Sequence, residues 1–469
     1  MANRQIILDN FNLGGLADSK YLGTQKSVAA MVGLDIHTEP GIIKVNQRLA
    51  KDSASTIDDL VKVMFVSTNG STYLFGSTNG KIWEREASGT YTLRHTAAPA
   101  AGAVGITGAF EDQGYIYWVT QSRIGRNATP AAGGAFAAPA NDWAVLTAGD
   151  TAYHPTCNLN LINYIGNGKY ISQVEDGVFT EAALDLKAGT RVKSLAPLIT
   201  ELLIGSFIAE ANQLTDVYRW NTWSVSFSSD DIVPENGVNA FLPTDNFVLA
   251  QAGNKGNFYV YTNDRLEHVF KLPGDWLNKT ALVHPGAVAN FNNFPLFGLS
   301  NVSSNPALQG VYSYGHRSPN YPNVLNLEYV ISQNKLASIE IGAICVVSGL
   351  ILVSWKDGTT YGVDKLDVSN KYTGAYFESR LIMLDRANQS DAVIRACYRS
   401  LPAGTNITIK IKKNHATDWS SALTTRTDTT RKTIETATKI GAYNTLEIRI
   451  DFTVSGNDAP ELERVEIDI

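Results

Sequence analysis

The feature that most constrains this chain is a unit repeated along its middle: an apolar strand, a Gly/Asn/Asp turn, then a second strand rich in aromatics and Val. It recurs seven times, near Tyr73, Tyr117, Tyr164, Ile204, Val248, Phe297 and Val353, at spacings of 40 to 56 residues. In "STYLFGSTNGKIWERE" Tyr73 and Phe75 fall on one face, and Ile82 and Trp83 open the next strand. Asn79-Gly80 between them suits the positive φ angles of a two-residue hairpin. A further β-prone segment precedes each unit, such as "RVKSLAP" at Arg191 and "GVNAFLP" at Gly237. The period is near the roughly 40–50 residues of a four-stranded propeller blade. A single blade has two apolar faces and cannot bury them alone; radial packing buries both. The expectation is an all-β chain with a seven-bladed β-propeller over residues 55–372. A pair of β-sandwiches is the alternative.

After Ala375 the pattern changes to longer alternation. Ile407, Ile409 and Ile411 share a face, as do Leu446, Ile448, Ile450, Phe452 and Val454. Half-buried antiparallel strands of this kind predict a small C-terminal β-sandwich over 373–469. Residues 1–54 read as an extended N-terminal arm. It holds an apolar cluster of helical length, Val28 to Leu34, among turn-prone residues. Leu13, Leu16, Val32, Leu34, Ile42 and Val45 are its candidate buried residues, and Gly14, Gly15, Gly23, Gly33 and Gly41 its flexible joints. The arm either adds a closing strand to the propeller, lies across a neighbouring subunit, or packs as a lead-in to blade one.

Hydrophobic residues make up 44% and charged residues 18%, as in a folded chain. The net charge of −6 argues against a general nucleic-acid surface, and no sequence-specific nucleic-acid binding is expected. "KIKKN" at Lys410 reads as a strand with a solvated Lys face. Cys157, Cys345 and Cys397 have no metal-type spacing and read as buried free thiols. No segment has the eighteen or so apolar residues of a membrane span, and "MANRQIILDNF" does not read as an export signal.

The search for chemistry yields little. Glycoside hydrolysis needs two carboxyl groups about 5–9.5 Å apart. Asp230, Asp231 and Glu235, and the pair Glu111-Asp112, fall at expected blade corners, where acids are ordinarily solvated. His37, His95, His154, His268, His284, His316 and His415 show no metal-ligand spacing. There is no GxSxG and no phosphate-cradling GxxxxGK[ST]. Most aromatics are expected between blades. No catalytic residue, metal or cofactor is expected.

The order of parts resembles the virion proteins of tailed bacteriophages. The matching residues are Gly14-Gly15-Leu16, then Met31-Val32-Gly33-Leu34 in a helix-like stretch, then Pro40-Gly41-Ile42 before "KVNQRL". The terminal "AYFESRLIMLDRANQSDAVIRACY" and "LEIRIDF" resemble the ends of such proteins. The arrangement is similar to tail-hub, nozzle and packaged-DNA-stabilising propellers. The resemblance implies a non-enzymatic structural part of a virion, made in the host cytoplasm. It would form a homo-oligomeric hub, nozzle or ring with other tail proteins, with Leu13 to Leu16, Val32, Leu34, Pro40, Ile42 and Val45 in an assembly arm. The alternatives are a receptor-binding fibre or tip protein that touches a host glycan or surface protein, and a propeller glycoside hydrolase.

Overall fold

The structure, a computed structural model, describes residues 5–24, 26–53, 57–100, 102–147, 153–208, 214–244, 247–262, 265–273, 280–300, 309–316, 320–333, 338–383, 392–423, 425–441 and 443–468. Among them strands dominate and no α-helix occurs; a single 3-10 turn lies at Phe11–Leu13. The expected boundary at 54/55 and residues 384–391 of the resembling terminal segment lie outside the described residues.

Seven four-stranded antiparallel sheets follow one another through residues 61–371. The first strand of each lies beside the first strand of the next, and Ile339–Val347 of the seventh packs against Val61–Val66 of the first, which closes the ring. The chain is thus a β-propeller. The seven sequence units coincide with the second strands of the seven blades, from Thr72–Gly76 to Leu350–Asp357. Aromatics fill the gaps between blades, as expected. Tyr73, Phe75 and Ile82 of blade one pack with Ala109, Trp118 and Phe136 of blade two. Trp83, Trp118, Trp220 and Trp355 are at most 1% exposed. The hairpin at Asn79-Gly80 is longer than expected. Residues 77–80 connect the strands, and of Asn79 and Gly80 only Gly80 is left-handed (φ 67°). The buried Asp59 carboxylate fixes this turn by accepting the Thr78 and Asn79 amides at 2.7 and 2.8 Å.

The leader is not a separate arm. It forms β1 (Gln5–Leu8), β2 (Val28–Val32), β3 (Leu34–Asp35), β4 (Ile43–Val45) and β5 (Gln47–Lys51). The cluster of helical length is therefore two strands broken at Gly33. Seven residues are too few to hold a helix alone, whereas β2 finds a ladder partner in Tyr376–Ser379. β5 is the fourth strand of blade seven, paired with Thr360–Lys371. β1 to β4 belong to the C-terminal sandwich. Its five-stranded sheet contains β2, and its seven-stranded sheet contains β1, β3 and β4. In the described residues the propeller therefore takes its strands from 47–51 and 61–371, and the sandwich from 5–45 and 376–468. One apolar cluster runs from Leu16, Val28 and Leu34 through Tyr312 and Leu327 of blade six to Ile409, Ile450 and Val465 of the sandwich.

Two of the residues expected to be buried in the leader are not. Leu13 is 37% exposed, and Ile42 is only half-buried. Ile43 and Val45 point inward from β4, so side-chain alternation places Ile42 on the wrong face. Leu16, Val32, Leu34 and Val45 are buried, while Pro40 is exposed. Gly14 and Gly15 are not joints. A Cβ on Gly14 would lie 2.3 Å from the Lys26 and Ser27 backbone, and Gly15 (φ 57°) would meet Leu325 O at 2.7 Å. Gly14 allows close approach of the Lys26–Ser27 backbone within the leader, and Gly15 that of the outer strand of blade six.

Candidate functional site in the central channel

The inner strands of the blades bring residues far apart in sequence to one axis. Val61–Val66 of blade one and Thr190–Pro197 of blade four each carry a register shift, between Val61 and Val63 and between Val192 and Ser194. The residues left out of the pairing are Lys62 and Lys193. A bulge of this kind frees one residue from the ladder and re-aims its side chain. Both lysines line a cavity of about 250 Å³ inside the ring, together with Thr107, Tyr153 and His284. Thr107 immediately precedes the inner strand of blade two, and His284 lies just ahead of that of blade six, Val288–Phe291.

Burial lowers the Lys62 ammonium from its ordinary value, although Glu340 and Asp59 oppose this. Asp59 is committed to the backbone amides above, and Glu340 lies 3.8 Å from Lys356. Burial lowers Lys193 to about 8. Its Nζ sits 5.1 Å from the ring of Tyr153 and 5.4 Å from that of Phe207. His284 is 7% exposed, and burial together with Lys62 and Lys193 lowers it to about 3, so it is a neutral imidazole near pH 7. Its Nε2 and the Thr107 hydroxyl are buried without a hydrogen-bond partner.

The sequence reading passed over this site. One signal was present: the His-Pro pair occurs twice, at His154-Pro155 and His284-Pro285, each just before an inner strand. The two copies differ in use. The His154 ring nitrogens face Gly166 O at 2.8 Å and Gln121 O at 3.1 Å, a structural tie between blades two and three. The bulges that turn Lys62 and Lys193 inward leave no mark in composition or spacing.

The acids considered for hydrolysis each have structural partners of their own. Lys187 pairs with Asp216 at 3.2 Å and also with Asp230. Asp231 accepts the Leu266 amide at 2.8 Å, and Glu235 accepts from Asn257. Glu111 clamps blade one to blade two by accepting from Ser67 at 3.0 Å and from the Thr68 amide at 2.8 Å. Among the described residues no group of three or more His, Cys, Asp or Glu is arranged to hold a metal. Cys345 and Cys397 are buried free thiols, while Cys157 is only half-buried.

A Ser/His/Glu cluster does exist where the leader crosses blade six. Ser313 Oγ lies 3.2 Å from His37 Nε2 and donates to Glu328 Oε1 at 2.9 Å. Ser313 is 0% and His37 3% exposed. A hydroxyl that donates to a carboxyl oxygen, inside a packed interface, is placed as a structural link and not as a nucleophile activated by the imidazole.

No protein-family model and no curated protein matches the chain. Solved structures similar to it include the extracellular domain of BT4673 from B. thetaiotaomicron, at 12% identity and a TM-score of 0.45. That similarity covers 73% of this chain but only 43% of that domain. Streptogramin B lyase is similar at 14% identity and a TM-score of 0.46, over 68% of this chain and 97% of that one. The WD40 β-propeller domain of Doa1 is similar at 12% identity and a TM-score of 0.44, over the same two shares.

Proposed function

We propose that the chain is a non-enzymatic structural component of a phage virion that works by contact with copies of itself in a tail hub, nozzle or ring. The phage assignment rests on the sequence resemblance of the leader and the terminal segment. The observation that carries a contact role lies on blade four. Ile199, in the connection after its inner strand, is 95% exposed; Trp223 and Val225, in the connection after its third strand, are 79% and 93% exposed. Both connections leave the blade at the same end, and Arg219 and Glu201 join them at 2.9 Å. Large apolar side chains gathered at one end of a blade fit a protein contact better than free solvent. The strands of the leader are paired within the same chain, so the contact is proposed on blade four rather than on a free strand of the leader.

Two measurements test the reading. Sedimentation of the purified protein should show a discrete oligomer that Trp223→Ser with Val225→Ser dissociates. Protein identification on purified phage particles should find the chain. A monomer at every concentration reached sinks the contact surface, and absence from particles sinks the virion assignment.

A further inference from the structure

We propose that the central channel of the propeller is a binding site for a small organic oxyanion, a carboxylate or a phosphate, held by Lys62, Lys193, Thr107 and His284. Four groups from blades one, two, four and six reach one cavity of about 250 Å³. Neither lysine has a carboxylate within ion-pair distance among the described residues, and the cavity also receives two orphan polar atoms, Thr107 Oγ1 and His284 Nε2. Half-burying ammonium groups without an ion-pair partner beside orphan polar atoms is unfavourable, and a chain that places them together leaves a demand for an acceptor. Water can satisfy a hydroxyl and an imidazole N–H, but it cannot neutralise two ammonium groups. One oxyanion does both. It accepts from the two ammonium groups, from the hydroxyl, and from His284 in its Nε2–H tautomer.

Part of the cavity lining is apolar and suits a carbon body. Val63, Phe65 and Ile344 line the same cavity. Free chloride would leave that apolar wall bare. Lys193 is already held over two aromatic rings, which keeps its ammonium in place before any ligand arrives.

The test is isothermal titration of the full chain at constant ionic strength with three probes: inorganic phosphate, succinate, and succinamide as the uncharged counterpart of succinate. The expected result is saturable one-to-one binding of phosphate or succinate and none of succinamide; the tighter probe identifies the oxyanion. Lys62→Met and Lys193→Met should each weaken binding at least about tenfold, or about 1.4 kcal/mol. Both should still fold, because each removes a half-buried charge that has no ion-pair partner. Should either fail to fold, Thr107→Val keeps the shape and removes only the hydroxyl, and must still weaken binding. The proposal is overturned if neither anion gives saturable heat, if succinamide binds equally well, or if affinity is unchanged in the variants that fold.

Discussion

Glu328 sits in an environment far from that of an ordinary strand glutamate. Burial, then the nearby Asp35, push its carboxyl up to about 8 from an ordinary 4.5. Burial lowers His37, beside it, to about 4 from 6.5. Between pH 4.5 and 8 the folded carboxyl holds a proton that the unfolded chain has lost, so its contribution to stability is full below 4.5 and falls as pH rises toward 8. The histidine works in the opposite sense: folding disfavours its proton, so stability rises with pH from about 4 to 6.5. The two partly cancel up to pH 6.5, and above it the carboxyl acts alone. Glu328→Gln can keep the contacts to Ser313 and Asn46 and removes the titration. Its melting temperature relative to the native protein should climb steadily from pH 4.5 to 8, by the equivalent of about 1–2 kcal/mol over the upper part of that range. A difference that stays flat, or that favours the glutamate at pH 8, counts against this account. None of it is legible in "NLEYV", where Glu328 looks like any strand glutamate. Its burial follows from a leader 282 residues away, whose Asn46 donates to Glu328 O at 3.0 Å. Ile42 and Ile43 teach the same lesson: adjacent, chemically identical residues have opposite fates set only by the register of β4.

At the scale of elements, the blades were legible, whereas the closing strand from the leader was one of three alternatives that the sequence left open. The period of the aromatic hairpins is local information. The partner of the last blade is not, because β5 pairs across more than 300 residues, Leu49 opposite Leu366 and Arg48 opposite Asp367. Turn chemistry was also only partly readable. Asn160-Leu161 and Asn292-Asn293 form two-residue connections with both residues left-handed, at φ 54° and 66° and at 51° and 66°. Neither pair contains the glycine that marks such turns in a sequence. Asn160-Leu161 even spends an 85% exposed leucine on one of these positions. The closure of blade seven gives a paired prediction on β5. Leu49 is 3% exposed in the shared core, so Leu49→Ala should cost about 2–5 kcal/mol. Arg48 holds Asp367 at 2.8 Å but is 44% exposed, so Arg48→Ala should cost less than about 1 kcal/mol. Denaturation midpoints of the two variants check this. Equal costs would mean that β5 lies on the ring without closing it.

At the scale of the molecule, the change of pattern near Ala375 marks a change of architecture but not a separable unit. Thr360–Lys371 is the last propeller strand in the chain, and Tyr376–Ser379 is the next strand, in the sandwich. The sandwich, however, takes four of its twelve strands from the leader. Phe11 packs on Phe377 at 5.3 Å, and Leu16 N and Gly33 N donate to Leu325 O and Leu327 O on blade six at 2.9 and 3.2 Å. The leader therefore belongs to both bodies at once. Leu16, Val28, Met31, Val32, Leu34, Ile36, Ile43 and Val45 are all at most 8% exposed. At about 1.5–3 kcal/mol each their burial is worth roughly 12–24 kcal/mol gross. That matches or exceeds the roughly 5–15 kcal/mol by which a folded domain is stable at all. A chain of residues 373–469 alone should show no cooperative melting, and the same chain carrying residues 5–46 through a flexible linker should recover it. Deleting residues 1–46 from the whole protein retains β5 and should leave the ring folded, with the C-terminal strands open to protease. The intact protein should melt in one calorimetric transition, because the shared core couples blades five to seven to the sandwich. Two well-separated transitions, or cooperative melting of 373–469 alone, would show that the leader decorates a sandwich able to stand without it.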